Sequence, residues 1–224
     1  MIEMMNYIKQ RWMILLITLL TGIFVAIPGL GAKNWHNFYD LNEAKLENEI
    51  SNLKQQLKES PGNIELLKGL GIAYHFKASH DIKNYAPLAV EILTQAYEGN
   101  KKDNETLCYL GSATTMMAET TWNPIKKVSY VNKGAAFMDK AIRRDPDNIA
   151  VRMTRGTNSR RLPSFLERGH YALEDFEHLA LLIEQNPMIT PSFKKDVYTN
   201  LAQIYEQNRD AEKAKKYKEL SENF

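Results

Sequence analysis

Lys133 to Gly156 reads KGAAFMDKAIRRDPDNIAVRMTRG, and its punctuation decides the fold. Ala135, Met138, Ala141 and Ile142 fall on one helical stripe. Asp145-Pro146-Asp147-Asn148 then stops one helix and starts another, because proline cannot continue the first and Asp or Asn can cap the second. Ile149, Val151 and Met153 resume an apolar pattern, and Gly156 offers a close-packing position. The stretch therefore predicts the second helix of one hairpin, a turn, and the first helix of the next. Stacked helical hairpins need those parts.

The chain around it has 224 residues, enough for one or two domains with a sizeable core. Its net charge of +2 supplies no global field for nucleic acid or an acidic polymer. The single cysteine, Cys108, sits beside Leu107, Tyr109 and Leu110, which predicts a buried, inert thiol.

Trp12 to Ile27 carries no charge, follows Lys9 and Arg11, and ends at Pro28-Gly29-Leu30-Gly31-Ala32. Residues 1–32 are thus expected to be a signal peptide or a transmembrane anchor. Small residues at Gly29, Gly31 and Ala32 suit cleavage, whereas an uncharged run of 21 residues through Ala32 suits retention across a membrane. Either reading carries the remainder outside the cytoplasm, onto the cell membrane, into the periplasm or into the medium. Residues 33–60 contain a lead-in helix, in which Leu46, Ile50, Leu53 and Leu57 recur at spacings of 4, 3 and 4.

From residue 61 to 224 a longer pattern repeats. Leu70-Gly71, two residues, then Tyr74 resembles the Leu-Gly-x-x-Tyr signature of the tetratricopeptide repeat, or TPR. The glycine lets the paired helix approach, and the flanking large residues fill the space around it. Ala89, Leu93 and Ala96 match the family's small, large, small pattern in the helix that follows. Leu110-Gly111 comes 40 residues later, with Thr114 in the tyrosine position. Met138, Ala141 and Pro146 fall where the family places them. Arg155-Gly156 follows after 45 residues, keeping the glycine but not the leucine. Leu201-Ala202 and Tyr205, with Ala214 beyond, form the last unit. The resemblance implies an all-α fold: a right-handed stack of antiparallel hairpins with about four degenerate repeats. The units exceed the usual ~34 residues. Long connections are expected inside the first three hairpins, with the second helix of the first pair starting at Leu88, and the final helix is expected to fray or cap the array.

Chemistry is sparse. The five histidines form no compact metal-ligand spacing, and there is no phosphate-binding glycine loop or nucleophile elbow. No cofactor, metal or enzyme activity is expected. Seven arginines fall between Arg143 and Arg168. The resemblance implies a concave groove that binds a peptide or protein, and Arg152, Asn158, Arg160 and Arg161 could clamp a carboxylate there. Against that, Arg155 stands at a packed position and is expected to pair with Glu174 or Asp175, while Arg143 and Arg144 suit a helix C-terminus. The expected role is a non-catalytic interaction scaffold of the cell envelope, without nucleic acid. Two alternatives stand beside it: a small-anion or substrate-binding module, and a structural protein that self-associates through Leu46, Ile50, Leu53 and Leu57.

Overall fold

The computed structural model describes residues 41–184, 186 and 189–224. The expectation for residues 1–32 and the start of the 33–60 segment lie outside them.

Among the described residues nine α-helices follow one another: α1 (Glu43–Glu59), α2 (Ile64–Ala78), α3 (Ile82–Gly99), α4 (Asn104–Met116), α5 (Pro124–Arg144), α6 (Ile149–Arg161), α7 (Gly169–Glu184), α8 (Pro191–Gln207) and α9 (Ala211–Glu222). Short 3-10 turns occupy Met117–Thr120 and Ser164–Leu166. No strand occurs among the described residues. The starts are written in the sequence. Asn42, Asn63, Asp103 and Asn148 each accept a backbone N–H three residues ahead, at 3.0–3.2 Å, which satisfies donors the helix leaves open.

The helices pack as hairpins α2/α3, α4/α5, α6/α7 and α8/α9, each leaning on the next, with α1 laid against α2. Leu46, Ile50 and Leu53 of α1 pack with Leu70, Tyr74, Ala89 and Leu93 of the first hairpin and with Tyr109 and Leu110 of α4. Cys108, Met138, Ala141 and Val151 fill the middle. Phe176, Leu179, Leu201, Tyr205 and Ala214 close the far end.

The closest approach within a hairpin is α4 on α5. A Cβ added to Gly111 would stand 2.6 Å from the Gly134 carbonyl oxygen, and one added to Gly134 would meet the Thr115 backbone nitrogen at 2.8 Å. Threonine at position 114, in place of the family's tyrosine, turns its hydroxyl onto the Leu110 carbonyl at 2.7 Å and so fills little space between the helices. Gly71 plays the same part against Leu93, and Gly156 against Asp175 and Phe176.

Two expectations are corrected. The second helix of the first pair starts at Ile82 rather than Leu88. Asp81 caps it by accepting the Asn84 N–H at 3.3 Å, and Pro87 falls in its second turn, where it costs one hydrogen bond without ending the helix. The first hairpin connection is therefore short, and much of the extra repeat length lies in α3 and in the 21-residue α5. Secondly, the α1 stripe is not offered to another copy: Leu46, Ile50 and Leu53 are buried within the chain and Leu57 is partly buried there. Of the two outcomes expected for the final helix, fraying or capping, α9 does not fray: it stays helical to Glu222, with only Ala214 and Ser221 on it buried.

Candidate functional site

The first helices of three successive hairpins, α2, α4 and α6, lie side by side. With the start of α1 they enclose a cavity of about 380 Å³, lined by His75, Tyr109, Ser112, Thr115, Asn158 and Arg161 among others. The glycine register places these residues. His75 and Thr115 stand four residues after Gly71 and Gly111, Ser112 one after Gly111, and Asn158 and Arg161 two and five after Gly156, while Tyr109 precedes Gly111 by two.

A hydrogen-bond network crosses the cavity floor. Asn158 Nδ2 donates to Ser112 Oγ at 3.2 Å and to Thr115 Oγ1 at 2.5 Å. The Thr115 hydroxyl proton is committed to the Ser112 carbonyl at 2.7 Å, so Asn158 must present its amide nitrogen there. Ser112 Oγ lies 2.8 Å from His75 Nε2. The remaining atoms of the two end residues, Asn158 Oδ1 and His75 Nδ1, are shut from solvent and have no hydrogen-bond partner among the described residues. Burial, seconded by the Arg161 charge, lowers the His75 pKa from 6.5 to about 4, so the ring is neutral at pH 7. Its edge packs on Tyr109 at 5.2 Å between centroids.

Among the described residues the Ser112–His75 contact lacks the third member of a triad, since Nδ1 meets no carboxylate there. An imidazole held at about 4 also has little drive to take a proton at neutral pH.

The sequence-predicted arginines separate into two groups. Arg152 and Arg155 turn to the opposite side of α6, into an ion cluster with α5 and α7. Asp175, with no exposed surface, accepts from Arg152 Nη1 at 2.9 Å and from Arg155 Nε and Nη2 at 2.7 and 2.8 Å. Glu174 takes the same two guanidiniums at 3.1 and 2.9 Å. Asp139 holds Arg168 through two bonds of 2.7 and 2.8 Å and Arg155 through one of 3.3 Å. The Tyr171 ring lies under Arg168 and Arg155, 4.0 and 4.8 Å away. Three arginines and three carboxylates thus neutralise one another. Burial works against ionisation throughout and pushes the Asp175 carboxyl above the usual carboxylate range, whereas the guanidiniums hold Asp139 and Glu174 below it. Arg152, which also donates to the Pro146 carbonyl at 2.6 Å, is spent here and does not reach the cavity. Arg160 bonds Gln203 of α8 at 2.6 Å. Arg161 is exposed on the cavity rim and makes no ion pair among the described residues. Of the four, Asn158 and Arg161 come together at one site.

His75, Ser112 and Thr115 escaped the sequence reading. Their signal was the register set by each helix glycine, which only becomes a spatial statement once the first helices are known to lie side by side.

No family model matches the chain, and no curated protein matches it. Among solved structures it is similar to a thermophilic TPR protein of Thermus thermophilus, at 16% identity and a TM-score of 0.61, covering 83% of this chain and 85% of that one. It is also similar to MamA, at 20% identity and a TM-score of 0.51, covering 81% of this chain and 89% of that one. At such identities the likeness establishes a TPR-like fold and nothing about a partner.

Proposed function

We propose that the protein is a non-catalytic interaction scaffold that holds a segment of a partner protein in the cavity formed by α2, α4 and α6. The observation that carries this reading is the pair of unpartnered polar atoms, His75 Nδ1 and Asn158 Oδ1, in the walls of that cavity. A buried polar atom without a partner costs stability; a peptide N–H would satisfy Asn158 Oδ1, and a peptide C=O or N–H would satisfy His75 Nδ1 according to its tautomer. Tyr109, Phe76 and Met116 supply apolar contact around it, and Arg161 at the rim suits a carboxylate of the partner. Arg160 can join Arg161 only by leaving Gln203.

In the same reading residues 12–32 anchor the chain in a membrane, with the repeats outside the cytoplasm. No described helix is long and apolar enough to cross a membrane, so any anchor falls to that segment.

The test is crosslinked affinity purification of the full-length chain, membranes included. One or two proteins should be recovered in near-equal amount, and both Asn158→Ala and Arg161→Glu should reduce their recovery at least tenfold while helical content is kept. Unchanged recovery in both variants would exclude the cavity as the docking site.

A further inference from the structure

We propose that the edge of the array formed by the C-terminal ends of α2, α4 and α6 is a second membrane contact, which seats on an anionic lipid surface. The inference rests on the reading of residues 12–32 as a retained anchor.

The three first helices run in parallel. His75 near the end of α2 meets Ser112 near the end of α4, and Asn158 near the end of α6 meets Thr115. Their C-termini therefore share one edge, from which the connections at 117–123 and 162–168 project. The chain arrives at that same edge. Lys77, at the end of α2, bonds Glu43 and Glu47 in the first turns of α1 at 3.2 and 3.1 Å, so Leu41 lies there too. Only residues 33–40 separate it from the uncharged run, and eight residues span at most about 29 Å. A retained anchor would thus join the described chain at this edge.

What the edge presents is suited to lipid. Trp122 is 92% exposed, Ile125 79% and Phe165 76%, and Val128 continues the stripe on α5. The first two turns of α5 stand clear of α4, with every residue from Trp122 to Ser129 exposed. These are large apolar side chains on projecting tips, not the floor of a groove that could receive a partner. Lys126, Lys127 and Lys133 accompany them on α5, which carries no Asp or Glu before Asp139, and the acids of the two connections are Glu119 and Glu167. The Lys127 ammonium sits 6.0 Å from the centre of the Trp122 ring. Trp with aliphatic neighbours at headgroup depth, flanked by lysines, is the chemistry of interfacial binding to anionic lipid.

The experiment is to reconstitute the full chain into phosphatidylcholine vesicles with and without phosphatidylglycerol, carrying a nitroxide at Ile125→Cys or, for comparison, at the exposed Leu181→Cys. Cys108 is buried and will not take the label. Carbonate extraction of the same vesicles reads the anchor separately. The label at 125 should lose at least about fivefold of its accessibility to an aqueous nickel relaxant in anionic vesicles, while the label at 181 does not change. A chain that resists extraction with the label at 125 as accessible as that at 181 overturns the lipid face, leaves the anchor standing and gives the tips to a protein partner. A chain that is extracted yet co-sediments with anionic vesicles, label 125 shielded, refutes the anchor and keeps the face. Extraction without shielding overturns both.

Discussion

Arg155 grips Asp175 through two hydrogen bonds, Nε to Oδ2 at 2.7 Å and Nη2 to Oδ1 at 2.8 Å, and the carboxylate has no exposed surface. The position that a TPR fills with leucine, just before the packing glycine, is here filled by a charge that carries its own counter-charge on the paired helix. Burying ions is costly unless every partner is present, so the arrangement makes the α6/α7 hairpin sensitive to loss of any one member.

Asp175→Ala should therefore destabilise the fold by about 3–5 kcal/mol, because two buried guanidiniums lose their main acceptor. Glu174 touches the same arginines with its side chain 52% exposed, so Glu174→Ala should cost only about 1 kcal/mol. Urea denaturation of both variants checks the order, and equal losses would show that burial is not what matters.

Glycine substitutions should rank by what the added carbon meets. Gly111→Ala drives a Cβ against a backbone carbonyl at 2.6 Å and should cost about 1–3 kcal/mol or force α4 and α5 apart. Gly156→Ala meets side-chain carbons at 3.1 Å or more, so its cost should be smaller, offset in part by the better helix propensity of alanine. Thermal melts of the two single variants give the comparison.

His75 should make stability fall on the acid side of neutrality. Its folded pKa lies at about 4 against 6.5 when unfolded, so between those values the unfolded chain binds more protons. Stability is complete above pH 6.5 and is lost as pH drops towards 4, by at most about 3 kcal/mol. His75→Gln should flatten that part of the pH profile. The carboxylates of Asp103, Asp139 and Glu174, held low in the fold, lose their share on acidification in both proteins. A wild-type and a variant profile of equal slope between pH 6.5 and 4 would contradict the buried neutral ring.

Leu53→Glu should unfold the N-terminal hairpin rather than split a dimer. Leu53 is fully buried against the first repeat, and a carboxylate there has no partner. Circular dichroism should lose helix, and the apparent mass in size exclusion should not halve.

Much of this was legible beforehand. The N-cap Asn148, the turn at Pro146 and the glycines at 71, 111 and 156 place helix starts and hairpin crossings by rules that act over a few residues, although for the helix that carries Gly111 the expected cap Asn104 gives way to Asp103, one residue earlier. The same locality misled where two local rules competed. Pro87 reads as a helix start, yet the Asp81 cap upstream prevailed and moved the start back by six residues.

The amino-acid order by itself determined an all-helical chain of hairpins, because periodicity, capping and turn chemistry are properties of neighbouring residues. It also set which residues must be buried. Only the tertiary structure decided that Arg152 is consumed by Asp175 while Arg161 is left on a cavity rim, and that His75, Ser112, Thr115 and Asn158 share one network. Those relations join residues 23 to 46 apart in sequence, and they depend on how one helix is rotated and shifted against the next. Packing of the whole array sets that geometry, and no window of sequence contains it.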